Sequence, residues 1–355
     1  MTVGPVIGWD LGGAHLKAAR LGAAGGVEGV VQIPCPLWQG MPHLYSALDQ
    51  AATRVGRAPL HAVTMTGEMV DLFADRREGV TRLVASMGER IADGTMWVYA
   101  GRAGFLDPEK AAAAAGSIAS ANWMASASLV ADRVPGALLL DVGSTTTDLI
   151  PVHNGRVHVR GEDDPERLAA GELLYTGIVR TPVMAFAPQV PFAGAWIPLM
   201  AEHFATAADV HRICGSLPDG ADQHPPADGG EKTVSASARR LARMIGRDVD
   251  SAGADSWRVL AEWLGRAQVR AIGDACDRVL SRGLLPVDAP IVGAGVGRFL
   301  AARIAAERGR PYLDFGLLLE AGEAERSRAA DCAPAVAVAW LARRRAQASD
   351  RQPRS

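Results

Sequence analysis

One short motif, an aspartate followed by a small-residue turn, occurs twice in this chain. The first copy reads Ile-Gly-Trp-Asp-Leu-Gly-Gly-Ala-His-Leu-Lys over residues 7–17, and the second reads Leu-Leu-Asp-Val-Gly-Ser-Thr-Thr-Thr-Asp over residues 139–148. Glycine carries no Cβ, so a turn of this kind lets backbone N–H groups approach an oxyanion closely. Two such turns that face each other would hold a phosphate or a diphosphate from both sides. The repeated motif therefore predicts a two-sided site for a phosphorylated ligand.

The residue types suggest a role for most positions of the motif. Asp10 and Asp141 occupy the strand ends, where a carboxylate can hold Mg²⁺ directly or through water. The turn residues predicted to contact the anion are Gly12, Gly13, Gly143, Ser144, Thr145 and Thr146. Because side chains alternate along a strand, we expect two of the three hydroxyl residues to face the anion and the third to pack inside.

The two motifs end differently, with Lys17 in the first copy and Asp148 at the corresponding position of the second. Lys17 is one of only three lysines, and we interpret it as a diphosphate ligand, although a lysine here could also simply solvate a strand edge. Asp148 could be a third carboxylate near the metal or an acid on the face of a strand. Both residues enter the predicted catalytic set.

Composition limits the class of protein. A chain of 355 residues with 48% hydrophobic and 21% charged residues is expected to form two domains of an ordinary globular protein. The net charge of -2 gives no reason to expect a nucleic-acid or membrane partner. Four widely separated cysteines and the absence of a recognisable signal peptide favour a cytoplasmic protein with reduced thiols. The oligomeric state stays open, with a homodimer among the alternatives.

Each copy of the motif begins a three-strand meander that is followed by helical segments, which indicates mixed sheets with helices on their faces. The predicted strands cover residues 6–10, 15–21, 27–33, 61–66, 96–100, 137–141, 146–152, 156–159 and 290–293. The predicted helices cover residues 41–57, 69–92, 108–115, 121–131, 198–216, 233–245, 251–264, 267–282 and 334–345, with one more that starts at residue 298. We expect a first domain over 1–134, a second over 135–345 whose last helix packs on the first, and a disordered tail over 346–355.

The two motifs and several further segments together resemble the actin-like ATPase superfamily. Within it, they are most similar to the hydantoinase/oxoprolinase-like proteins of the tetrahydromethanopterin-linked one-carbon pathway. The further segments are Thr66-Gly67-Glu68, Ser120-Ala121-Asn122-Trp123, the Gly-Glu-Leu-Leu-Tyr-Thr-Gly run at 171–177, Arg180-Thr181-Pro182, and Asp331-Cys332-Ala333-Pro334. This resemblance implies an α/β protein of two actin-like (ribonuclease H-like) domains, with mixed sheets flanked by helices and an interdomain cleft.

The resemblance also implies a reaction. Family members in methanofuran biosynthesis condense an aminomethylfuran-methyl diphosphate with the phenol oxygen of a γ-glutamyl-tyramine, and diphosphate leaves. A transferase of methanofuran or methylofuran biosynthesis, with small-molecule substrates and Mg²⁺ as cofactor, is therefore expected. Where first loops of the hydantoinase type carry hydroxyls and an acid, this chain has Ala14, Leu16 and Lys17, a more cationic set that suits a leaving diphosphate.

Two alternatives stay open. The first is an ATP-dependent kinase or amidohydrolase of the same superfamily, which Gly293 and Gly295 would support because they fall where actin-like ATPases hold adenosine. The same glycines could instead mark a close turn between a strand and a helix. The second alternative is a nucleotide-gated scaffold, which the absence of long insertions, basic faces and heptads disfavours.

The remaining candidates concern the acceptor substrate. An unperturbed phenol has a pKa of ~10, so a base within hydrogen-bond reach would help it to attack. Glu68, at the end of a predicted strand, is the first choice, with Glu172, Glu202 and His203 as alternatives. The resemblance further suggests two contacts. Asn122 would line the substrate site or pack inside the protein, and Arg180 would bind the γ-glutamyl carboxylate through a bidentate contact.

Overall fold

A computed structural model describes residues 3–91 and 94–351, with no account of the side chains of residues 350 and 351. Its strands, in chain order, are β1 Val6–Leu11, β2 His15–Leu21, β3 Val27–Pro34, β4 Leu60–Met65, β5 Thr95–Tyr99, β6 Phe105–Leu106, β7 Gly136–Val142, β8 Thr147–His153, β9 Arg156–Val157, β10 Leu173–Leu174, β11 Gln189–Phe192, β12 Ala195–Pro198, β13 Ile291–Ala294 and β14 Tyr312–Asp314. Its helices are α1 Met41–Val55, α2 Arg76–Arg90, α3 Ala115–Ile118, α4 Asn122–Arg133, α5 Asp164–Ala170, α6 Ala207–Ile213, α7 Val234–Arg243, α8 Ala254–Leu280, α9 Arg298–Glu307, α10 Glu323–Asp331 and α11 Ala333–Arg351. Over the described ranges, every helix is too short or too polar to cross a bilayer.

The first of two compact units comprises the described residues of Met1–Ala137, Pro151–His158 and Leu313–Ser355. Its six-stranded sheet has the order β3-β2-β1-β4-β5-β6, in which β1 runs antiparallel to β2 and parallel to β4. All six residues of β1 are buried, as a central strand that is covered on both faces requires. The unit's core joins apolar side chains of these strands to those of α1 and α2.

The last helix, α11, belongs to this first unit. The sequence-based division counts the helix with the second domain over 135–345 but expects it to pack on the first. The helix packs on β1, β2 and β4, and the fit leaves no room for a side chain at Gly8. A Cβ at Gly8 would overlap the carbonyl oxygen of Ala335 and lie 2.8 Å from the Cβ of Ala339. This glycine of the motif therefore serves the contact between strand and helix.

The Gly8→Ala exchange tests this contact. We expect it to lower the free energy of unfolding by about 3 kcal/mol, or to prevent folding, because neither backbone can yield without repacking the other. Gly29→Ala in β3 is the matched control, since no heavy atom lies within 4 Å of the added Cβ there. Urea unfolding followed by circular dichroism measures both variants, and equal midpoints for Gly8→Ala and the wild type would contradict the close packing.

The second unit comprises Leu138–Ile150 and Val159–Tyr312. Its sheet has the order β10-β8-β7-β13-β14, with β9 paired to β8. The order β8-β7-β13-β14 repeats the order β2-β1-β4-β5 of the first sheet, and β7 pairs with β13 in the parallel sense, as β1 does with β4. The prediction of two mixed sheets flanked by helices is confirmed.

A helical extension of the second unit encloses a core of its own between α6, α7, the first half of α8 and the β11–β12 hairpin. At its centre the rings of Phe192 and Trp257 stack with centroids 4.9 Å apart. Two predictions were wrong here. Residues 251–264 and 267–282 form one helix, α8, and the predicted helix over 198–216 is helical only at Ala207–Ile213.

The C-terminal segment also differs from the prediction of a disordered tail. Helix α11 continues to Arg351 because the chain from 346 onwards extends the same helix without a Gly or Pro to end it. Residues 352–355 of the predicted tail lie outside the described part of the chain.

Candidate functional site

The first motif forms the hairpin turn between β1 and β2. The N–H of Gly12 donates to the carbonyl of His15 at 3.0 Å, and a Cβ on Gly12 would lie only 2.7 Å from that oxygen. Asp10, 4% exposed, stands directly opposite Lys17 in the antiparallel register and beside Thr64 of β4 in the parallel one. The aspartate and the lysine are therefore nearest cross-strand neighbours.

Neighbouring segments fix this first loop by binding its carbonyl groups. The N–H of Gly67 donates to the Leu11 carbonyl at 2.8 Å, and the N–H of Leu37 donates to the Gly13 carbonyl at 3.0 Å. These bonds fix the backbone of the first loop, and its contact with an anion stays a prediction.

The second motif repeats the same backbone bonds between β7 and β8. The N–H of Gly143 donates to the Thr146 carbonyl at 2.9 Å, as Gly12 does in the first loop. The Val142 carbonyl, equivalent to that of Leu11, accepts from the N–H of Gly297 at 2.8 Å. The Ser144 carbonyl, equivalent to that of Gly13, accepts from the N–H groups of Val179 at 3.1 Å and Arg180 at 2.9 Å. The two loops are therefore equivalent in structure as well as in sequence.

Of the four consecutive hydroxyl residues at 144–147, the first three are partly exposed and the last is buried. Ser144, Thr145 and Thr146 are all partly exposed, and the Ser144 Oγ and Thr145 Oγ1 atoms lie 3.4 Å apart. The hydroxyl that is bound inside belongs to Thr147, whose Oγ1 donates to the Thr176 carbonyl at 2.6 Å. The structure therefore differs from the expectation that one of the three packs inside, since all three are accessible. Their contact with a ligand stays a prediction.

Close packing explains why glycine occupies positions 293 and 295. Gly295 has a φ of +80°, and a Cβ there would overlap the Val142 carbonyl and lie 2.5 Å from Asp141 Oδ1. A Cβ on Gly293 would lie 2.6 Å from the ring of Tyr312. The turn between strand and helix accounts for Gly295, and the packing of Tyr312 against β13 accounts for Gly293, so neither glycine by itself indicates a nucleotide.

Few ligands are available for a metal. Within the described residues, no group of three or more histidine, cysteine or acidic side chains could hold an ion. The candidates are single carboxylates, the buried Asp10 in the first loop and the partly exposed Asp141 in the second. Mg²⁺ is commonly bound through one or two carboxylates together with substrate phosphates and water. Single carboxylates of this kind are compatible with a magnesium ion that arrives with a diphosphate, and a magnesium site here stays a prediction.

Lys17 contacts the end of a helix. Its Nζ donates at 3.2 Å to the carbonyl of Asp331, the last residue of α10. An ammonium at this position interacts favourably with the negative end of the helix dipole. The contact also holds the lysine on the sheet face that it shares with Asp10. Its predicted role in binding diphosphate remains a prediction.

Asp148 has a buried partner. Its Oδ1 accepts from Arg167 Nη2 at 2.8 Å, and the Arg167 side chain is almost completely buried. Burial raises the pKa of Asp148, while the charge and hydrogen bond of Arg167 oppose that rise. This ion pair joins β8 to α5, and the catalytic role of Asp148 stays a prediction.

Glu68 is buried, with 1% of its surface exposed, and its Oε1 accepts from Ser120 Oγ at 2.9 Å. Ser120 has a φ of +50°, a left-handed conformation that is uncommon for residues other than glycine and clusters at functional sites. Next to it, Asn122 begins α4, and its Oδ1 accepts the N–H of Trp123 at 2.8 Å. The structure therefore brings two segments quoted for the family resemblance, 66–68 and 120–123, into contact.

The alternative bases occupy less suitable positions. Glu172 is fully buried and accepts from the N–H groups of Arg160 at 2.8 Å and Gly161 at 3.2 Å, and from the guanidinium of Arg282. Glu202 and His203 are exposed on the helical extension.

Arg180 lies beside the second loop, where its N–H donates to the Ser144 carbonyl at 2.9 Å and its side chain is exposed. The residue that holds Glu68, Ser120, carried no role in the sequence-based site. It stood inside a quoted segment, but a serine there gives no sign of its left-handed backbone.

Comparison with known proteins identifies relatives over most of the chain. Residues 60–312 match the family model described as Hydantoinase/oxoprolinase. The chain is 28% identical over 291 residues to the (4-{4-[2-(gamma-L-glutamylamino)ethyl]phenoxymethyl}furan-2-yl)methanamine synthase of Methanocaldococcus jannaschii, covering 82% of this chain and 86% of that protein. It is 30% identical over 118 residues to the protein of the same name from Methanococcus vannielii, covering 33% of this chain and 53% of that protein.

Among solved structures, the nucleotide-free structure of acetone carboxylase superposes with a TM-score of 0.58 and 10% identity, over 94% of this chain and 70% of that one. At this identity the likeness is one of fold, and it confirms the predicted actin-like α/β architecture. The relatives are named as synthases, which supports the prediction that this chain is an enzyme.

Proposed function

Since the chain belongs to the hydantoinase/oxoprolinase family, we propose that it joins the phenol oxygen of a tyramine-type acceptor to the methylene carbon of a furan-methyl diphosphate. The bond between that carbon and the bridging oxygen of the diphosphate breaks, and its electron pair leaves with diphosphate. A new C–O bond forms to the phenol oxygen, whose proton passes to a base. The reaction is an alkyl transfer with no change of oxidation state.

One observation carries this proposal, namely the equivalence of the two loops, in which Gly12 bonds to His15 as Gly143 bonds to Thr146. A ligand with two phosphate groups is the natural partner of a duplicated anion loop. The name of the Methanocaldococcus jannaschii relative describes a product with a phenoxymethyl group on a furan, which is the ether that such a displacement would make.

The protein's main task in such a reaction is to stabilise the charge that builds on the leaving diphosphate. The backbone N–H groups and hydroxyls of the loops would bind its oxygens, and the Lys17 ammonium would add a positive charge beside the first loop. Asp10 in the first loop and Asp141 in the second are the carboxylates proposed to bind Mg²⁺, which would supply further charge neutralisation at the phosphate oxygens.

The acceptor side of the reaction needs a base and contacts that orient the phenol. We propose Glu68 as the base, held by Ser120 through the 2.9 Å hydrogen bond. Asn122, two residues after Ser120, would line the acceptor site. Arg180, exposed beside the second loop, would bind the carboxylate of a γ-glutamyl group.

The test is a product assay with the purified protein and Mg²⁺. We expect pyrophosphate to appear only when a furan-methyl diphosphate and a tyramine derivative are both present, and the ether to appear in equal amount by mass spectrometry. Chelation by EDTA should stop the reaction, and added Mg²⁺ should restore it. Release of inorganic phosphate from ATP without ether would instead support the ATP-dependent alternative and contradict the proposal.

A further inference from the structure

The second unit contains a network of hydrogen-bonded, buried polar side chains. At its centre is Gln268, in the middle of α8, with no exposed surface. Its Nε2 donates to Thr176 Oγ1 at 3.0 Å and to the Gly177 carbonyl at 2.9 Å, and its Oε1 lies 2.8 Å from His211 Nε2. A buried amide whose two ends are both bonded has a single orientation, and that orientation fixes its neighbours.

His211 determines which way the amide points. The Gln268 Oε1 atom can only accept, so His211 Nε2 carries the proton, and Nδ1 accepts from the Ser216 hydroxyl at 2.9 Å. The ring is 3% exposed and meets Phe299 edge-on, with centroids 5.5 Å apart. Burial lowers the pKa of His211, so the imidazole is neutral at pH 7, as this arrangement requires.

At Thr176 and Gly177 this hydrogen-bonded network reaches the second loop. A Cβ on Gly177 would overlap the Thr145 nitrogen, so the two backbones are in direct contact. The Thr176 carbonyl accepts from the Thr147 hydroxyl, and Ile178 donates its N–H to the Gly143 carbonyl. Residues 176–178 therefore pack directly against the loop, and Gln268 holds this segment through its hydrogen bonds to Thr176 and Gly177.

We propose that Gln268 and His211 are positioning residues that set the geometry of the second loop for binding diphosphate. The proposal rests on the function proposed above. Neither residue touches the loop, so each would act through Thr176 and Gly177. The loop N–H groups must point at one anion, and the amide of Gln268 prevents rotation of the peptide groups against which they pack.

Gln268→Glu is the variant that separates donation from packing, because glutamate has the same shape but, when ionised, has no N–H for the Gly177 carbonyl. We expect its affinity for magnesium pyrophosphate, measured by titration calorimetry, to fall about 10-fold or more. Amide hydrogen exchange in a peptide covering 141–147 should become faster. His211→Gln, which keeps a donor toward Gln268, should retain more affinity than His211→Leu.

Ser237→Ala is the matched control. Ser237 is also fully buried in the same unit, but it bonds to Asp209, Arg212 and Arg240, and none of these bonds involves Gln268, Thr176 or Gly177. The control should keep wild-type affinity and wild-type exchange over 141–147 even if it unfolds at lower temperature. Wild-type affinity and exchange in a folded Gln268→Glu variant would overturn the proposal.

The outcomes also separate this proposal from the proposed function. Should the wild type bind no pyrophosphate, the function proposed for the loop fails. The exchange measurement still reports whether Gln268 holds the loop. If Gln268→Glu binds pyrophosphate as tightly as the wild type, and amide hydrogen exchange over 141–147 is unchanged, the positioning role fails while the proposed function stands.

Discussion

An enzyme carrying Glu68→Gln should fold as the wild type does and lose ether formation by about 10²- to 10⁴-fold in kcat, the range that removal of a general base produces. The amide is isosteric and can still accept a hydrogen bond from Ser120, so the local structure survives. Binding of magnesium pyrophosphate should be unchanged, because Glu68 acts on the acceptor. Steady-state rates with saturating substrates and calorimetry with pyrophosphate measure the two effects separately.

Two comparisons make this result specific. Glu89→Gln, at an exposed position of α2, should leave kcat unchanged. Ser120→Gly and Ser120→Ala both remove the hydroxyl that holds Glu68, and both should lower kcat by roughly 10-fold. The glycine variant should be the more stable of the two, because glycine adopts the φ of +50° freely, whereas alanine resists it as serine does. Activity of Glu68→Gln within about 3-fold of the wild type would remove Glu68 as the base.

The strands around the two loops could be predicted because their signals are local. β2 begins and ends where the sequence predicts, and β1, β3 and β7 differ only by a residue or two at their ends. In each case an apolar run stops at a glycine-rich turn or at a proline, and nothing distant is needed to place that boundary.

The helical extension could not be predicted in the same way, because tertiary packing decides it. Gly265 lies inside α8, where a glycine is usually unfavourable, but the helix continues because the apolar residues on both sides of it pack into two cores. The β11–β12 hairpin carries two prolines and has a buried face only because Trp257 of α8 covers Phe192.

The candidate site residues likewise fall into those that the sequence predicts and those that only the fold identifies. A repeated local pattern in the sequence identifies four candidate residues of the two loops: Asp10, Gly12, Asp141 and Gly143. The role of Asp148 depends on Arg167, which lies on a helix that the sequence did not reveal. Gln268 is far from the loop in the chain and belongs to no motif, so only the fold identifies it.

The second large effect is expected for Gly143→Ala, and the two loops differ in how cleanly they can be tested. A Cβ on Gly143 meets only the Thr146 carbonyl at 3.4 Å, a tight but tolerable distance, whereas a Cβ on Gly12 would meet the His15 carbonyl at 2.7 Å. Gly12→Ala therefore disturbs the hairpin itself. Gly143→Ala leaves the hairpin in place and adds a methyl group where the anion must approach the backbone.

We expect Gly143→Ala to change the free energy of unfolding by less than about 1 kcal/mol and to weaken binding of magnesium pyrophosphate by about 10²-fold, comparable to the loss of one oxyanion donor. Thermal unfolding and calorimetry measure the two quantities on the same preparation. Gly116→Ala, where no heavy atom lies within 4 Å of the new Cβ, should change neither. If Gly143→Ala folds and binds pyrophosphate like the wild type, the backbone of the second loop does not contact the anion, and the duplicated motif is a feature of the fold alone.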